Sequence, residues 1–155
     1  MKSGQETITL HFHSHIPGSY REELERLFFF NWQQSRYAPR ITESVQEYAK
    51  PRIFEHPNGN VSLEFTKRDI GQTLHVFDSK SPQASLVGVI MFARDNAEQI
   101  TIVHVAVHET CGRIFKEEGI NVAGEIIKKA LDSFRNIKGI QRVRIYYNGK
   151  VIRLK

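Results

Sequence analysis

The chain has 155 residues, 40% of them hydrophobic and 25% charged, which suits one domain around one sizeable core and excludes a fibrous or low-complexity protein. A single cysteine, Cys111, excludes an intramolecular disulfide; no segment approaches a membrane span and no apolar run opens the chain, so a cytoplasmic protein with no membrane partner is expected. The net charge of +5 points to a phosphate-bearing or otherwise anionic partner.

Residues Glu6 to His15 alternate, with Ile8, Leu10 and Phe12 on one face, and predict a half-buried strand. His11, His13 and His15 share the other face. Three imidazoles suggest zinc, but same-face neighbours on one strand lie about 7 Å apart, too far for one ion. No Asp, Glu or Cys cluster follows at metal spacing, so an exposed polar face and no metal site are expected. Pro17-Gly18 is a turn signal, and Ser19 with Glu22 has the spacing of a capping box opening a helix. Leu24, Leu27 and Phe28 supply its apolar stripe. The run Phe28-Phe-Phe-Asn-Trp32 cannot face one way around a helix and predicts an aromatic core cluster.

Ala38-Pro39 breaks that helix. Thr42 caps a second, with Val45, Tyr48 and Ala49 inward, and Pro51 ends it. Arg52–Glu55 and Val61–Phe65 read as strands joined by His56-Pro-Asn-Gly-Asn60, a hairpin turn. Thr73–Phe77 and Leu86–Phe92 form a further strand pair, and Asp95-Asn96 turns the chain into the segment that organises the rest.

That segment runs from Gln99 to Phe134. Ile100–His108 is rich in β-branched residues and predicts a strand buried on both faces. A polar loop follows. Asn121 then stands at an N-cap position before a helix whose stripe is Val122, Ile126, Ile127, Ala130, Leu131 and Phe134. A strand feeding a loop into a helix start gathers backbone amides at the positive end of the helix dipole, an arrangement suited to phosphate.

Lys116-Glu-Glu-Gly119-Ile-Asn121 resembles the pyrophosphate loop of the GCN5-related N-acetyltransferases, with the pattern Gln/Arg-x-x-Gly-x-Gly/Ala. The resemblance covers Leu86 to Asn148 and includes the order strand, loop, helix, strand. It implies an α+β domain spanning residues 1–155, with a mixed, mostly antiparallel sheet and helices on both faces. It also implies coenzyme A or acetyl-CoA as cofactor and a small-molecule or peptide amine as acceptor. The cofactor would lie along the strand backbone at Val105 and Val107. Its pyrophosphate would meet Arg113, Lys116, Gly119, Ile120, Asn121 and Val122. Base candidates on or beside the strand are His104, His108, Glu98 and Glu109; the family's acidic position falls near Thr101, which cannot serve. Asn121 stands where the pattern has Gly or Ala, and Glu117 and Glu118 bring negative charge into the loop.

Gly139 ends the helix, Ile140–Tyr147 is a strand, Asn148-Gly149 is a type I′ hairpin signal, and Val151–Leu154 returns as an edge strand. The family continues with a further helix, often carrying a tyrosine acid, and two more strands; no position here matches that tyrosine. The apolar surface that helix would hide implies a two-fold dimer through Ile140–Leu154, unless the N-terminal helices cover it. From Lys128 onward Lys and Arg far outnumber the one acidic residue, Asp132. The alternative function is therefore a non-enzymatic basic domain contacting nucleic acid or an acidic protein.

Overall fold

A computed structural model of the chain describes residues 9–29, 51–66, 71–78, 85–108, 116–117, 119, 121–146 and 149–154. Among them are nine strands and two α-helices. The strands are β1 (Leu10–His13), β2 (Ile16–Pro17), β3 (Pro51–Glu55), β4 (Asn60–Phe65), β5 (Gly71–Asp78), β6 (Ser85–Arg94), β7 (Gln99–Val107), β8 (Arg142–Ile145) and β9 (Val151–Arg153). The helices are α1 (Arg21–Phe29) and α2 (Val122–Phe134). No helix among the described residues is long and apolar enough to cross a membrane.

Six strands form one sheet in the order β1-β5-β6-β7-β8-β9. Every neighbour is antiparallel except β7 and β8, which run parallel because α2 carries the chain back between them. The expected mixed, mostly antiparallel sheet is thus present. Its two faces are covered by different elements. On one, α2 lays Val122, Ile126, Ala130 and Phe134 against Val87, Ile90, Phe92, Ile100, Ile102, Val143 and Ile145. On the other, Leu24, Leu27 and Phe28 of α1 meet Leu86, Val89, Met91, Val103 and Ala106. The predicted α2 stripe is the buried one, with Ile127 and Leu131 at its margin.

Gly88 permits the close approach of β6 to β7. A Cβ there would lie 2.5 Å from the Ala106 carbonyl oxygen and 3.0 Å from Ile126 Cδ1. Any side chain would push the neighbouring strand and α2 apart together.

The hairpin β3–β4 forms as its sequence indicates, with Gly59 in the left-handed region at φ +88°. It does not join the main meander. With β2 it makes a separate three-stranded sheet, β2-β4-β3, whose Ile16, Val61, Leu63 and Phe65 pack into the α1-side core. His75 clamps the two sheets together: its Nδ1–H donates to the His13 carbonyl at 2.8 Å, and its Nε2 accepts from the Leu63 amide at 3.0 Å.

Other expectations change. The chain enters α1 through a 3-10 turn at Gly18–Tyr20, so the helix starts at Arg21. Glu22 reaches forward to Arg26 at 2.9 Å instead of back to Ser19, so no capping box forms through it. The predicted strand through Tyr147 ends at Ile145, and Tyr146 turns into the α1-side core. The apolar surface of β8 is not bare: Val143 is 0% and Ile145 7% exposed, both under α2. The burial argument for a dimer loses its basis there. Among the described residues Val151, 49% exposed on the edge strand β9, is the large hydrophobic left outside. The helix predicted from Thr42, with Trp32, lies outside the described residues.

Candidate functional site

Part of the expected site lies at the corner where β7 leads to α2, and between His108 and Asn121 the loop is described only at Lys116, Glu117 and Gly119. β7 pairs with β8 from Gln99↔Arg142 to Ile102↔Ile145, and the Tyr146 amide donates to the Ile102 carbonyl at 3.0 Å. The parallel ladder stops there, while β7 runs on to Val107. Directly beyond, its register with β6 passes from Phe92↔Ile102 to Met91↔His104. Val103 is therefore an extra residue, a β-bulge that bends and twists the strand at the point where β8 leaves it. The bulge also breaks the alternation of side chains. Val103 packs in the α1-side core, and His104 follows it to the same side, edge-on to Phe28 with centroids 5.4 Å apart. Val105 and Val107 then border the α2-side core.

At the far side of the corner, Asn121 caps α2, its side-chain oxygen accepting from the Gly124 amide at 3.1 Å. The first intrahelical bond runs from the Glu125 amide to the Asn121 carbonyl at 3.0 Å. Helix geometry leaves the Val122 and Ala123 amides to acceptors outside the helix. Asn121 thus turns its bulk back onto its own helix and uses one of the amides a phosphate would want. Gly119 is in the left-handed region at φ +81°, with open space where a Cβ would stand, and its amide donates to the Lys116 carbonyl at 3.0 Å. Lys116 is exposed. Glu109, Cys111, Arg113, Glu118 and Ile120 lie outside the described residues.

The two histidine candidates differ sharply. His104 is 2% exposed among aromatic rings, and burial pushes its pKa down from 6.5 to about 4. It stays neutral at physiological pH and accepts a proton weakly. His108 is half-buried just past β7, its amide donating to the Val87 carbonyl at 2.6 Å. Thr101, at the family's acidic position, is buried; its hydroxyl donates to the Asp95 carboxylate and accepts from Arg144 Nε at 3.1 Å. Glu98 pairs with Arg142 at 3.2 Å. The bulge, the His75 clamp and the Asp95–Thr101–Arg144 chain carry no signal in spacing or composition.

The chain matches no family model, and neither a curated protein nor a solved structure matches it.

Proposed function

We propose that the chain is an acyl-CoA-dependent N-acyltransferase domain, moving an acetyl group from acetyl-CoA to the amine of a small molecule or peptide. The observation that carries this reading is the coincidence at Ile102: the parallel ladder with β8 ends, β7 bulges at Val103, and the strand continues toward a loop that opens α2. A pantetheine arm laid along β7 beyond Ile102 would extend the sheet where β8 stops, and the pyrophosphate would then reach the Val122 and Ala123 amides with Lys116 nearby. The cofactor supplies a thioester whose carbon–sulfur bond breaks as the carbon–nitrogen bond forms; the ammonium proton goes to a base and the sulfur takes one up. For the base, the half-buried His108 is better placed than His104, whose buried ring binds protons too weakly; the resemblance also offers Glu109.

The alternative basic surface draws less support. Arg142 is bonded to Gln99 and Glu98 and Arg144 to Thr101, so these two guanidiniums are committed within the fold.

A thermal-unfolding titration with coenzyme A and acetyl-CoA tests the proposal. At tenfold excess over the dissociation constant the protein gains roughly 1.4 kcal/mol, a measurable rise in Tm. Gly119→Val is expected to abolish the rise and to lower the free protein's Tm modestly. A β-branched residue resists φ +81°, yet no neighbour stands within 4 Å of the new Cβ. No rise at millimolar coenzyme A ends the reading.

A further inference from the structure

His15, in the bend after β1, meets His56 and Glu64 of the β3–β4 hairpin, and their ligand atoms all lie within 4.8 Å of one another. Strand pairing brings them there. Ile16 lies opposite Val61 and Glu55 opposite Val61 on the other side, which sets His15 and His56 at the edges of β4. Val61, Leu63 and Phe65 point into the core, so Ser62 and Glu64 take the opposite face of the small sheet. The two imidazoles stack there, centroids 4.0 Å apart and planes within 15°. His56 Nε2 is 3.7 Å from Glu64 Oε2.

Ser62, 0% exposed, sits beneath the three. Its hydroxyl donates to Glu64 Oε2 and therefore accepts from His56 Nε2, at 2.8 Å. The carboxylate is held in place by a neighbour that would not itself bind the ion, as supporting residues of metal sites commonly do. His56 and Glu64 have side chains only 13% and 20% exposed; ligation through His56 Nε2 displaces the proton that it now gives to Ser62, as metal binding generally releases ligand protons. The third, His15, is exposed in the bend between β1 and β2, and binding an ion requires it to turn out of its stack on His56. Bonds of 2.0–2.2 Å place tetrahedral ligands about 3.4 Å apart, so the farthest donors must close by only about an ångström and a half, within reach of a side-chain rotation at His15.

We infer that His15, His56 and Glu64 form a site for a divalent transition-metal ion of the zinc class. Two imidazoles and a carboxylate match that class, while magnesium and calcium require oxygen donors. Three protein ligands leave a fourth position to water, on the exposed side of His15. The ion would tie the β1–β2 bend to the β3–β4 hairpin, on the outer face of the sheet that His75 holds from within. This inference is independent of coenzyme A binding.

The test is isothermal titration of chelator-treated full-length protein with zinc chloride, with cobalt(II) as a spectroscopic probe. One zinc ion per chain is expected to bind with a micromolar or tighter Kd and to raise Tm, and cobalt(II) to show the strong visible absorption of a tetrahedral site. His15→Ala, on an exposed side chain, and the conservative Glu64→Gln should each weaken binding at least about tenfold. His11→Ala, on the neighbouring strand, should leave it unchanged. Magnesium should bind no more tightly than about millimolar. No zinc binding at about 100 μM, binding indifferent to His15→Ala and Glu64→Gln, or binding lost with His11→Ala would each overturn the inference.

Discussion

Between pH 6.5 and pH 4 the protein is expected to lose stability steeply, because two imidazoles that protonate readily in the unfolded chain resist it in the fold. His75 and His104 both have pKa values lowered from 6.5 to about 4. Desolvation is the leading cause for each; at His75 the bond to the His13 carbonyl opposes it in part. Protonated His75 would also turn an N–H toward the Leu63 amide in place of the lone pair that now accepts from it. Lowering an imidazole pKa from 6.5 to about 4 corresponds to about 3 kcal/mol per ring. The sign follows from which state binds the proton: the unfolded chain takes it up first, so the contribution is fully present above pH 6.5 and lost as pH falls toward 4. With both rings the slope approaches about 3 kcal/mol per pH unit, and the total rivals the stability of a small domain. Urea unfolding at intervals from pH 7.5 to pH 4 checks this. His104→Leu, which keeps an apolar group between Phe28 and Phe65, should remove about half of the slope. A stability that stays flat down to pH 4.5 would mean that neither ring is buried as described.

Phe134→Ala should cost about 4 kcal/mol in urea, with an unchanged m-value. Phe134 is the last residue of α2, 1% exposed, and meets Phe92 of β6 edge-to-face with centroids 4.8 Å apart. Truncation removes the ring's transfer free energy and leaves a cavity between helix and sheet. The sheet side of that cavity is braced by hydrogen-bonded strands and collapses little. A loss below about 1 kcal/mol would mean that α2 does not pack on the sheet as described.

Much of this architecture was legible in the chain. The run Ile100–His108 gave β7 within a residue at each end, because β-branched residues in the sheet centre leave little choice. Asn121 announced the start of α2, and the cap bond to Gly124 is the physical reason. Asn58-Gly59 announced the β3–β4 turn. The separate sheet was not legible, since β2 is two residues long and pairs with β4 far along the chain. The side that His104 faces was equally hidden: strict alternation would put it with Ile100 and Ile102 under α2, and only the bulge at Val103 turns it toward α1. Strand spacing spoke only to how far His11, His13 and His15 stand from one another. It had no means of bringing His56 and Glu64 to His15, because that depends on register between distant segments.

The central claim is that coenzyme A binds along β7 beyond Ile102 and at the opening of α2. Amide chemical-shift mapping during a coenzyme A titration tests it most directly. The claim predicts saturable shifts concentrated at Val103–Val107, Lys116, Gly119 and Asn121–Gly124, with the β2-β4-β3 sheet unmoved. Saturable shifts confined to another surface, or none at millimolar coenzyme A, would contradict it.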